Sequence, residues 1–298
     1  MQHDGLHDSD HDDLHDRGLA FDLATLRSRR AAPSRLERRG ALKLLAGAGA
    51  GAGLVLVACG SDSKSASSTS ASTAATTAGS SSTTTSGASG TPTETIPEET
   101  GGPFPGDGSN GPNVLVESAI VRSDIRSSFG DYSGRAEGVP LTVDLTIVTA
   151  SSRAPLADAA VYLWHCDRDG GYSLYSSGVT DQNYLRGVQE ADSDGRLSFT
   201  SIFPAAYPGR WPHIHFEVFP DLVTATSAGS TLVTSQLALP EDACSLVFAT
   251  SGYEQSVPNM AQTSLDSDMV FRDGYASQLA SITGSVDTGM TASLTVGV

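Results

Sequence analysis

His213-Ile214-His215 is the segment most able to do chemistry. On a β-strand residues two apart point to the same face, so both imidazoles can reach one ion. Imidazole accepts iron, zinc, copper or nickel, and the pair alone leaves the metal open. Two tyrosines in turn-rich surroundings narrow the choice. Tyr172 follows Asp169-Gly170-Gly171, and Tyr207 sits in Pro204-Ala205-Ala206-Tyr207-Pro208-Gly209-Arg210. A phenol ionises near pH ~10, so tyrosinate at neutral pH needs a strongly polarising partner. A trivalent iron is such a partner, and tyrosinate is an iron ligand. Two phenolates beside two imidazoles favour iron(III) over iron(II) and leave positions for water and substrate. Taken singly, each tyrosine reads first as a rim or core aromatic with its hydroxyl bonded, as most tyrosines are. His165, next to Trp164, reads as a hydrogen-bonded structural residue. Cys166 and Cys244 could pair in an oxidising exterior, whereas folding before export would favour reduced, buried thiols.

The elements that must position these groups are short and β-rich. Strands are predicted at Val114–Val121, Leu141–Val148, Ala159–Trp164, Leu197–Phe203, His213–Phe219 and Thr231–Leu239. Leu141, Val143, Leu145 and Ile147 alternate with polar residues, as a half-buried strand requires. Gly, Asp, Ser and Pro separate the runs, and no stretch holds a sustained helical period. The expectation is all-β: a single sandwich over residues 96–298, about 200 residues, large enough for one core.

The rest of the chain reads as address and tether. Of 298 residues, 18 are Lys or Arg and 34 Asp or Glu, for a net charge of -16. Residues 1–58 hold eight of each sign, so the acidity falls beyond them. Nothing resembles the basic stripe that nucleic acid demands. Three cysteines without a CxxC pair exclude a disulfide scaffold or zinc ribbon. His3, His7, His11 and His15 recur every four residues among aspartates, a pattern read as a solvated tail. Arg38-Arg39 and Lys43 precede the apolar, Gly/Ala-rich run Leu44–Ala58, as in a twin-arginine-like export signal. Leu56-Val57-Ala58-Cys59 resembles a bacterial lipobox, which predicts a membrane-anchoring lipid on Cys59 and an exported protein. Residues 59–95, rich in Ser and Thr, then form a disordered linker.

Several blocks in order resemble the intradiol ring-cleavage dioxygenases. They are Pro97-Glu98-Glu99-Thr100-Gly101-Gly102-Pro103-Phe104, Val121-Arg122-Ser123-Asp124-Ile125, and Val161-Tyr162-Leu163-Trp164-His165-Cys166-Asp167 with Gly171-Tyr172-Ser173. Leu185-Arg186-Gly187, Asp194-Gly195-Arg196 and Tyr207-Pro208-Gly209-Arg210-Trp211-Pro212-His213-Ile214-His215-Phe216 continue the series. The likeness runs over roughly residues 96–245 and is closer to the protocatechuate 3,4-dioxygenase-like catalytic domain, or to the stand-alone secreted relatives, than to the branch carrying an N-terminal helical segment. It implies a prealbumin-like β-sandwich and a non-haem Fe(3+) site. Tyr172 and His213 would be equatorial ligands, Tyr207 and His215 axial ones, with a solvent hydroxide. It further implies that Tyr207 and the hydroxide take the protons of a catechol-type substrate. O2 then attacks the ring, which opens to a muconate-type diacid. Arg210 would face the reacting ring, and Gln236 would lie near the substrate. Ala205-Ala206 and Trp211 depart from the family pattern around Tyr207 and bear on substrate choice. Residues 224–230 read as an inserted polar loop.

Two other classes compete. One is a membrane-anchored β-sandwich binding module without turnover. The other is a copper or zinc enzyme using His213 and His215, in which Tyr172 and Tyr207 are dispensable. The sequence names no single substrate, though an acidic surface favours neutral catechols over carboxylated ones.

Overall fold

The computed structural model describes residues 94–298, which carry eight strands in two four-stranded sheets. The predicted signal, Cys59 with its predicted lipid, and nearly all of the predicted tether lie outside the described residues. In one sheet, β4 (Arg196–Ile202), β1 (Pro140–Val148), β8 (Gly289–Gly297) and β7 (Ser281–Ser285) lie in that order. In the other the order is β3 (Arg186–Glu190), β2 (Ala160–Trp164), β5 (His213–Phe219) and β6 (Val233–Ala238). All pairings are antiparallel except β1 with β8.

Period-two patterning explains the core. Leu141, Val143, Leu145 and Ile147 of β1 are buried, and Leu145 and Val143 sit opposite Leu197 and Phe199 of β4. From the facing sheet, Val161 and Leu163 of β2 and Ile214, Phe216 and Val218 of β5 enter the same apolar cluster. Full burial of a side chain such as Phe199 stabilises the fold by roughly 1.5–3 kcal/mol.

The alternate residues of β2 and β5 are buried too, so these strands read as unbroken apolar runs. Ala160, Tyr162 and Trp164 project to the other face of the sheet. There they meet Phe104, Val114, Leu115 and Ile120 from the segment ahead of β1. That segment is the covering arm, not a strand: Val114–Val121 turns twice, through Glu117 N–H to the Val114 carbonyl and Ile120 N–H to the Glu117 carbonyl. Val114, Leu115 and Ile120 pack down onto β2, while Val116 and Val121 stay exposed. One bridge, Val121 to Val188, ties it to the edge strand β3.

Among the described residues, three short α-helices depart from the all-β expectation: α1 (Leu222–Thr226), α2 (Glu241–Phe248) and α3 (Ser256–Met260). At five to eight residues each, none is long enough to produce a helical period in the sequence. The segment read as a polar loop begins inside α1, which Asp221 caps by accepting from the Thr224 N–H at 2.7 Å. No helix among the described residues is long and apolar enough to cross a membrane.

Candidate metal centre

The sheet that buries both its faces sets the site. With Ile214 and Phe216 committed to the sandwich core, the alternation of β5 turns His213 and His215 to the face beneath the arm. Both imidazoles are buried. Register places His215 opposite Trp164 on β2, and the two rings stack at 5.0 Å with an interplanar angle of 6°. That stacking fixes the plane of the His215 ring.

Tyr172 arrives from the turn after β2. Asp167 builds that turn, accepting from Gly171 N–H at 2.8 Å and Asp169 N–H at 3.0 Å, while its other oxygen takes the Tyr184 hydroxyl at 3.0 Å. Gly170 supplies the left-handed step, at φ +88°. Beyond it Tyr172 is 1% exposed and its ring lies 5.1 Å from Phe104. Tyr207 is only half-buried, on the loop between β4 and β5.

Four donor atoms converge. The Tyr172 and Tyr207 hydroxyls are 3.5 Å apart, the Tyr207 hydroxyl lies 3.2 Å from His213 Nε2, and the two histidine Nε2 atoms are 3.1 Å apart. Four ligands each about 2.0–2.1 Å from a shared centre have neighbour spacings of about 2.9–3.4 Å. His213 Nδ1 donates to the Trp211 carbonyl at 2.5 Å, so its Nε2 presents a bare lone pair. Burial holds both imidazoles well below their ordinary pKa, hence neutral, and pushes the Tyr172 phenol well above its own. The neutral imidazole nitrogens and the two phenol oxygens are groups that a positive centre would bind. Among the described residues no three His, Cys, Asp or Glu side chains gather in metal-binding geometry. The groups beside the histidine pair are the Tyr207 and Tyr172 phenols. That donor set, two imidazoles and two phenols, fits a trivalent iron and is poor in the thiolates and carboxylates that accompany zinc.

Arg210 lies at the edge of this cluster, 2% exposed. Its Nη2 donates to Gln236 Oε1 at 2.6 Å, and Gln236 Nε2 donates to the Thr100 carbonyl at 2.8 Å. Gln236 reaches this position because β6 pairs it with His215 across the sheet. The Arg210 Nε donates to Asp268 at 3.0 Å. Nothing in the sequence pointed to Asp268, whereas Thr100 stands in the family-like block Pro97–Phe104. Trp211 is buried with its indole N–H donating to the Leu239 carbonyl at 2.8 Å. It therefore packs against the protein beside Arg210.

His165 stands apart from the donor cluster. Its Nδ1 lies 2.7 Å from the Cys166 carbonyl and its Nε2 2.7 Å from Ser201 Oγ. Cys166 and Cys244 are buried free thiols. Burial holds the His165 pKa down to about 4 from 6.5. Between those values the unfolded chain binds the extra proton, so stability is present above pH ~6.5 and is lost as pH falls toward 4. At ~1.4 kcal/mol per unit the loss comes to about 3 kcal/mol. Urea melts at pH 7 and pH 4 are therefore expected to show a smaller acid loss, by about that amount, in His165→Gln than in the parent. Equal losses in both would refute the assignment.

Residues 110–244 match a family model described as "Dioxygenase", a stretch that includes β1 to β6 and all four donors. A chlorocatechol 1,2-dioxygenase of Rhodococcus opacus is 38% identical over 60 residues, 20% of this chain and 23% of that protein. A 6-chlorohydroxyquinol 1,2-dioxygenase of Cupriavidus pinatubonensis is 28% identical over 130 residues, 38% of this chain and 46% of that protein. The chain thus spans less than half the length of these two curated relatives. Among solved structures, an intradiol ring-cleavage dioxygenase from Tetranychus urticae superposes with a TM-score of 0.54 at 24% identity, over 68% of this chain and 94% of that one. The likeness is one of fold.

Proposed function

We propose that the chain is an intradiol ring-cleavage dioxygenase, one that opens a catechol-type ring between its two hydroxyl-bearing carbons, consuming O2 and giving a muconate-type diacid; the dioxygenase match over residues 110–244 supports the reading. The observation that carries the reading is the convergence of the Tyr172 and Tyr207 oxygens with the His213 and His215 Nε2 atoms. These four residues would hold a non-haem iron(III). Bound there, the ion stabilises phenolate at neutral pH and supplies a charge that the two substrate oxygens chelate.

The chain's own residues divide the remaining work. Tyr172, locked behind Phe104 and the Asp167 turn, is the fixed anchor. Tyr207, half-buried on the loop between β4 and β5, is the phenol that accepts a substrate hydroxyl proton at its Oη. Arg210 places a permanent positive charge beside the reacting ring, where developing negative charge is stabilised in a dry pocket. Gln236 fixes the guanidinium from the other side. The Arg210 charge is matched by Asp268, so it is not a spare counter-ion for a ring carboxylate. This, with the acidic surface, favours neutral catechols as substrate.

The N-terminal region extends the proposal. An export signal over residues 1–58, a lipid on Cys59 and a tether over 59–95 would place the catalytic sandwich of 96–298 on the outer face of the cell membrane.

The deciding experiment is the visible spectrum of the purified full-length chain before and after anaerobic catechol. A broad phenolate–iron(III) band that shifts on addition is expected. A chain that stays colourless after iron reconstitution would sink the reading in favour of a binding module.

A further inference from the structure

We infer that Asp268 is a positioning residue of the site, acting through Arg210. The inference rests on the dioxygenase reading for its consequence, though not for its geometry. Asp268 lies outside every sequence block that resembles the family, in the loop between α3 and β7. Its carboxylate is fully buried, and its side chain is 0% exposed against 2% for Arg210.

Every oxygen of that carboxylate is engaged. Oδ2 accepts from Arg210 Nε at 3.0 Å and from the Trp211 N–H at 2.7 Å. Oδ1 accepts from the Val270 N–H at 2.8 Å and the Phe271 N–H at 3.3 Å. Three backbone donors from two segments thus anchor the carboxylate before the guanidinium is counted. A buried charge held by fixed dipoles cannot follow its partner, so the partner must come to it. Arg210 is thereby pinned at Nε by Asp268 and at Nη2 by Gln236, which sets the guanidinium plane at two points. A long side chain with several rotatable bonds otherwise loses much of its positional precision.

The amide of Asp268→Asn cannot reproduce this arrangement. If its oxygen faces Arg210 and Trp211, its NH2 confronts the Val270 and Phe271 N–H groups. If it flips, NH2 confronts Arg210 and Trp211. In the first case the carboxylate's anchor at Val270 and Phe271 is lost, in the second its bond to Arg210 Nε, so the two-point hold on the guanidinium loosens while chain volume is unchanged.

The test uses the full-length chain and reads two quantities. In the metal-free protein the Arg210 Nε–H resonance, assigned by its disappearance in Arg210→Lys, is expected to exchange slowly with water. In Asp268→Asn it should exchange at least ~10-fold faster. An unchanged resonance overturns the inference whether or not the protein turns over catechol. In the iron-loaded protein Asp268→Asn should lower kcat by about 10–100-fold, with iron content, visible band and catechol affinity within about threefold of the parent. In an Arg210→Ala background the same substitution should cost less than about threefold, because nothing remains to be positioned. An equal cost in both backgrounds, or loss of the visible band, makes the role structural and overturns the inference. Should Asp268→Asn fail to fold, Asp268→Glu keeps the charge and displaces it by one methylene. It should lower kcat in the parent but not in Arg210→Ala, and equal effects would again overturn the inference. A parent protein that binds iron without cleaving any catechol sinks the dioxygenase reading alone, and the resonance still decides Asp268.

Discussion

Tyr207→Phe is expected to leave a folded protein that still takes up iron but has a shifted visible band and turnover lowered by at least ~100-fold. The size follows from the ordinary contribution of a positioned proton acceptor, 10²–10⁴. The asymmetry between the two phenols gives the prediction its sharpness. Tyr172 is sealed beneath Phe104 and held by its own turn, and its N–H donates to Ser176 Oγ at 2.8 Å. Its loss should deplete iron. Tyr207 is on a half-buried loop and needs only its hydroxyl to reach His213 at 3.2 Å. The protein without that hydroxyl keeps three donors. Single-turnover absorbance with catechol, run in parallel with iron analysis, separates the two phenols. If Tyr207→Phe kept both its band and its rate, Tyr207 would be a rim aromatic and a His-based site of another kind would be favoured.

How much of this was legible beforehand depends on what each residue packs against. β1, β2 and β5 declare themselves because their alternation, or unbroken apolarity, records burial directly. The same alternation on β5 turns His213 and His215 to one face, so the imidazole pair was readable without coordinates. β3 was missed because only Val188 is a large apolar residue in Arg186–Glu190. β7 was missed because Ser281–Ser285 is an exposed, polar edge. β8 hides its inward Met290, Ala292 and Val296 among small and hydroxylated neighbours. The reverse error occurred at Val114–Val121, whose apolar residues serve a covering arm. Gln236 could be brought to Arg210 only through the register of β6 on β5, which no local pattern encodes. Asp268 was invisible for a different reason. What marks it is a set of backbone N–H groups from Trp211, Val270 and Phe271, and backbone donors leave no trace in side-chain type.

Arg210→Ala should cost kcat about 10²–10³-fold while anaerobic catechol chelation changes little. That range is typical for removing one fixed donor from the place where negative charge develops. Chelation is insensitive because the two substrate oxygens are held at the donor cluster, whereas Arg210 sits beside it and bonds to Gln236 and Asp268 instead. Arg210→Lys is the more informative substitution. The charge survives, but the fork that reaches Gln236 and Asp268 at the same time does not. If charge alone mattered, the lysine would restore most of the rate. If the two-point hold matters, it should recover less than about a tenth of it, and Asp268, left buried with one partner lost, should also depress the unfolding midpoint. Stopped-flow mixing of the preformed catechol complex with O2 isolates the step concerned. A rate unaffected by Arg210→Ala would mean that the negative charge is met elsewhere, and the site would have to be rebuilt around other groups.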